Sequence, residues 1–126
     1  MKAGAATVNL PAMHRFVLAS AALVLFAAPA LAQEYSGNWA CRDASAERSG
    51  ILTLYGAVYA FASRTFGDVA SGTGTIAGYT DGVGFNDGPL RAARGIEAGR
   101  LVAGPDGGPA VQLETSDAIA MLCTPR

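Results

Sequence analysis

Asp81, Asn86 and Asp87 are the side chains of this sequence best placed to act as a group, two carboxylates and an amide close together in the chain. Paired acids can run glycoside hydrolysis as general acid and base, or hold Ca²⁺. Each Asp, however, stands directly before a glycine, as Asp81-Gly82 and Asp87-Gly88. Asp is favoured at such turns because its side chain satisfies nearby backbone donors, and turn chemistry is the better reading of both. The spacing also departs from the D-x-[DN]-x-[DN]-G calcium loop. Gly72 and Gly74 suggest a phosphate-cradling loop, but no lysine follows them, and a strand bent by its glycines accounts for them better. Arg91 and Arg94, beside Pro89, could clamp an anion, against the plainer reading of a solvated loop. Tyr55, Tyr59, Phe61 and Phe66 carry most of the aromatic weight. Tyr59 and Phe61 share a strand face by the two-residue period, so they pack a core or, more sharply, line a cavity or a recognition strip. The candidate binding residues are therefore Tyr55, Tyr59, Phe61, Arg91 and Arg94.

The chemistry that is missing is more decisive. His14 and Lys2 are the only histidine and lysine, and both precede residue 33. From Gln33 onward a Ser-His-Asp or Cys-His site, a lysine Schiff base and a histidine-ligated zinc are excluded. Cys41 and Cys123 are the only thiols, widely separated and without C-x-x-C spacing, and they read as one disulfide. That leaves no cysteine nucleophile. No catalytic residue, metal site or cofactor is assigned, and the expectation is a protein that is not an enzyme.

The disulfide reading rests on export. Arg15 supplies positive charge, Phe16 to Ala28 is apolar, Pro29 interrupts the run, and Ala30-Leu31-Ala32 is a small-x-small cleavage site. The apolar run is shorter than the roughly 20 residues of a membrane span. Residues 1–32 are thus expected to be a signal peptide cut between Ala32 and Gln33, with one domain over 33–126 and no stable membrane insertion afterwards. Gln33 is not the cysteine that lipoprotein acylation needs, which favours a soluble periplasmic or secreted product. Met1 and Met13 are both compatible translation starts.

From Gln33 onward seven arginines face ten carboxylates. Arg42, Arg48, Arg64, Arg91, Arg94, Arg100 and Arg126 are scattered along the sequence and form no basic run, so nucleic acid is not an expected partner. A domain this small is marginal without a staple. A bridge closing about 80 residues supplies on the order of 4 kcal/mol.

The elements that would position these residues are short strands punctuated by Gly, Asp, Asn and Pro. Strands are expected over 37–42, 51–55, 57–63, 69–79, 83–85, 101–103, 110–115 and 119–123, with a tight hairpin at Gly56 and a loop or single helical turn over 43–49. The stretch 90–98 allows a short helix or a strand. About eight short strands at roughly ten-residue spacing make an all-β antiparallel meander, closed as a small barrel or flattened sandwich with one disulfide joining its first and last strands.

Gly37, Asn38 and Trp39 give a G-x-W on the first strand, which resembles the opening of lipocalins, other calycin-like barrels and small periplasmic metalloprotease inhibitors. That resemblance implies that Trp39 plugs one barrel end beneath an arginine from near the C-terminus, here Arg126. The whole layout also resembles small bacterial exported proteins of unknown function. In those, an aromatic-x-Cys (Trp39, Cys41), a middle Phe-x-x-Gly-Pro-Leu (Phe85, Gly88, Pro89, Leu90) and a late Cys (Cys123) recur. The resulting expectation is a non-catalytic binding or protein-interaction module, inhibitor-like, whose partner is an envelope or secreted protein. The alternative is a calycin-like carrier of a small apolar ligand.

Overall fold

Eight antiparallel strands in simple sequence order close on themselves. The computed structural model describes residues 35–126, so the expected signal segment lies outside the described residues. The strands are β1 (Gly37–Asp43), β2 (Arg48–Tyr55), β3 (Val58–Ser63), β4 (Gly72–Tyr79), β5 (Gly82–Phe85), β6 (Ala98–Ala103), β7 (Pro109–Glu114) and β8 (Ile119–Pro125). Each pairs with the next, and β8 pairs back onto β1, giving a closed barrel rather than a sandwich. Closure leaves no strand edge unpaired around the ring.

The two-residue alternation sorts the side chains. Trp39, Cys41, Leu52, Leu54, Tyr59 and Phe61 point inward from the first three strands, and Ile76, Val83, Phe85, Val111, Leu113, Met121 and Cys123 complete the core. Cys41 and Cys123 are directly opposed across the β1–β8 seam, with Cα atoms 3.9 Å apart, and their sulfurs are bonded as expected. The Tyr59 and Phe85 rings meet edge to face at 4.9 Å.

Both ends of the ring are covered. At one, Tyr35 lies nearly buried with its hydroxyl against Gly78, and its carbonyl accepts the Trp39 indole N–H at 2.9 Å. At the other sits α1 (Pro89–Arg94), which the sequence left open between helix and strand. Pro89 suits the first helical turn, and Gly95 in the left-handed region ends the helix, its N–H bonded to the Arg91 carbonyl. Leu90 of α1 and Ile96 just beyond it are fully buried against the core.

Three expectations need correction. Arg126 does not cover Trp39: Pro125 is the residue opposite Trp39, and by alternation Arg126 turns to the outer surface. The fourth strand begins at Gly72, not at residue 69, because Asp68 holds the preceding segment off the sheet through the Ala70 N–H and the Ser63 hydroxyl. Residues 43–49 are not all loop, since β2 already starts at Arg48.

Candidate functional site

Alternation that fills the barrel also decides what its wall offers to a partner. Across β8, β1, β2 and β3 one register row runs Thr124, Ala40, Ile51, Ala62, all facing out. These small and aliphatic side chains floor a surface depression of about 610 Å³. Arg42, Arg48, Arg64 and Arg126 stand around it, and no carboxylate side chain lines it. Arg42 and Arg48 are direct cross-strand partners, set together by a bulge between Cys41 and Arg42 that skips Ser49. Arg64 joins them because its N–H bonds the Ser49 carbonyl, and Arg126 is brought in where its N–H bonds the Asn38 carbonyl.

None of these four arginines has an ion-pair partner among the described residues, whose three salt bridges belong to Arg94 and Arg100. The β1–β2 turn carries two acids, Asp43 and Glu47; neither is ion-paired with these arginines, and Asp43 directs its Oδ1 at the N–H groups of Ser45 and Glu47. Arg42 is steadied by donating to the Ala46 carbonyl at 2.9 Å. Like charges directly opposed on neighbouring strands destabilise a sheet, so the Arg42–Arg48 pairing is a cost to the fold.

Away from Arg42, Arg48 and Arg64 the outward rows of β2, β3 and β4 are uncharged. Asn38, Thr53, Ala60 and Thr73 form the next outward row, followed by Tyr55, Val58 and Thr75. Tyr55 is three-quarters exposed, and with Val58 and Ala60 it borders a second depression of about 390 Å³.

The other residues singled out by sequence go elsewhere. Tyr59 and Phe61 are buried in the core. The Tyr59 hydroxyl donates to the Asp87 carbonyl at 3.0 Å and accepts the Leu90 N–H at 3.1 Å, tying α1 to β3. Burial is the main cause that pushes its phenol pKa up. Arg91 donates to the Phe85 carbonyl, and Arg94 grips both oxygens of Asp68 at 2.7 and 2.8 Å, so the two form no joint clamp. Asp87 accepts the Thr75 N–H and hydroxyl, the turn role expected of it. Asp81 lies at the opposite end of β5, 3.7 Å from Arg100, so the two acids do not converge. Phe66 is fully exposed on the β3–β4 connection.

The four-arginine cluster escaped the sequence because its members are 6, 16 and 62 residues apart in succession. One signal did exist: reading 37–55 as a hairpin places Arg42 and Arg48 side by side. Among the described residues no group of His, Cys, Asp and Glu is arranged to hold a metal, and no helix is long and apolar enough to cross a membrane. Protein families, characterised proteins and solved structures yield no match to this chain.

Proposed function

We propose that this chain is an exported, non-catalytic binding module that engages an envelope or secreted protein through the outer wall of its barrel. The observation that carries the reading is the arginine-rimmed depression, which gathers four arginine side chains, none of them ion-paired among the described residues, beside outward rows of β1 to β3 that are otherwise uncharged. A surface arranged at the expense of the sheet's own stability is what recognition sites tolerate and scaffolding does not. Export is supported by the signal-like residues 1–32 and by a disulfide of the kind that persists in oxidising compartments. The G-x-W of Gly37, Asn38 and Trp39 adds a likeness to calycin-like and inhibitor barrels, whose members include protein-binding examples.

The carrier reading is weaker on physical grounds. Eight strands make an interior just wide enough for side chains to fill. Here Tyr59, Phe61, Phe85 and Leu90 occupy it, and α1 and Tyr35 cover its ends.

Native mass spectrometry on the protein released gently from its own cell envelope tests the proposal. The expected result is a chain beginning at Gln33, oxidised at its two cysteines, without a small-molecule increment and partly in complex with another protein. A retained apolar small molecule would overturn the proposal in favour of the carrier.

A further inference from the structure

The arginine-rimmed depression has features that specify its occupant, and the inference drawn from them rests on the binding-module reading above. Its positive groups stand on two sides of an apolar floor. Arg42, Arg48 and Arg64 lie beyond one side of the row Ala40, Ile51, Ala62, while Arg126, level with Asn38, lies beyond the other. Asn38 and Arg42 are four residues apart on β1, roughly 13 Å at strand rise. A single phosphate spans far less than that and has no use for aliphatic contact. An extended peptide whose acidic side chains flank apolar ones meets both requirements. Arginine is suited to that task, because its planar fork binds carboxylates bidentately.

The manner of binding is also constrained. Since β1 to β8 form a closed ring, a visiting strand finds no free edge on which to extend the sheet. Recognition has to run through side chains projecting from the wall. The uncharged rows continuing from the depression on the side of Arg126, Thr53, Ala60 and Thr73, then Tyr55 and Val58, extend the contact area away from Arg42, Arg48 and Arg64. We infer that the depression bounded by Arg42, Arg48, Arg64 and Arg126 is a docking site for an extended acidic segment of a partner protein, with apolar residues of that segment on Ala40, Ile51 and Ala62. The opposed pair Arg42 and Arg48 is the centre of charge recognition, and an incoming carboxylate relieves the repulsion between them.

Isothermal titration of the oxidised protein with a synthetic ten-residue peptide, glutamates at both ends and valines between, tests this directly. The expected result is binding that weakens steeply with added salt and is lost when glutamine replaces glutamate in the peptide. The double variant R48Q/R64Q, both positions being exposed, should weaken binding by about tenfold or more, the scale of one or two charge-assisted contacts. R100Q, which removes a charge three strands along from Arg42, outside the depression and paired with Glu114, should leave it nearly unchanged. A peptide that fails to bind, or binds R48Q/R64Q as well as the parent, overturns the site. So does equal affinity for inorganic phosphate, for an all-glutamate peptide without valine, or for phosphatidylglycerol vesicles, each of which would make the patch a general anion or lipid contact. Native complexes of R48Q/R64Q separate the two levels. If the variant keeps the envelope partner seen with the parent protein, this site is wrong and the binding-module reading stands. If the parent protein itself carries no partner, that broader reading falls.

Discussion

Arg48 is a residue at which truncating a side chain should help the fold. It faces Arg42 across the β1–β2 pair with no acid between them, and like charges so placed destabilise. Arg48→Gln is expected to raise unfolding stability by about 0.2–1 kcal/mol, read by urea denaturation at low salt, with the gain shrinking as salt is added. Asp68 behaves in the opposite sense. Its carboxyl is held below the usual range first by the Ala70 N–H, then by the Ser63 hydroxyl, with Arg94 adding to both. The folded chain therefore binds this proton less tightly than the unfolded chain does. The stability it contributes is complete above about pH 4, the unfolded value, and is lost as pH falls through the lower folded one. In thermal melts across pH, Asp68→Asn is expected to melt lower than the parent near neutrality, and the gap should close on acidification. An equal gap at every pH would remove the electrostatic account.

Elements show where sequence reading succeeds and where it stops. The strands β2 and β3 and their turn at Gly56 were legible because β-branched and aromatic residues alternate on both sides of one glycine. The disulfide partners were legible because there were only two. The helix α1 was left ambiguous because six residues span too few turns to display a period, and what decides it is tertiary: Leu90 and Ile96 close a barrel end. The segment before β4 was misread because Val69 looks like a strand residue, whereas it is three-quarters exposed and its neighbours are ordered by Asp68. Most of the candidate site was illegible, since a cluster assembled from four different segments exists only once the register is known. The join between α1 and the barrel makes its own prediction. Gly88 sits at φ +91°, where side chains are strained, and an added methyl would meet the Tyr59 hydroxyl and the backbone of Gly74. Gly88→Ala is expected to cost roughly 1–3 kcal/mol, from strain and overpacking together. Denaturant unfolding checks the magnitude, and Asn86→Ala, at a neighbouring exposed position, serves as the control.

At the scale of the whole barrel, among the described residues, the seam between β1 and β8 is the pairing that joins strands distant in sequence, with Cys41 bonded to Cys123 across a sequence separation of 82. All other neighbours in the ring are successive strands. Opening the bridge releases the largest loop in the unfolded chain, and Cys41→Ala/Cys123→Ala is expected to lose about 2–5 kcal/mol by denaturant unfolding. Both sulfurs are buried, so a thiol reductant should act on the native protein only at the rate of its opening, and alkylation trapping against time measures that rate.

Seen from its ends, the described chain is a circle that happens to be cut. Residues 36 and 126 emerge at the same rim, because β1 begins where its neighbour β8 finishes. Ring order does not depend on which turn carries the break. A circular permutant that links these ends through a few glycines and opens between Gly107 and Gly108, in the exposed β6–β7 turn, is expected to rebuild the same eight-strand wall. Its far-ultraviolet circular dichroism should overlay that of the parent. In it the cysteine bridge would enclose a different arc of the circle, so the stabilisation each arc confers becomes a measurable property of the cut rather than of the fold.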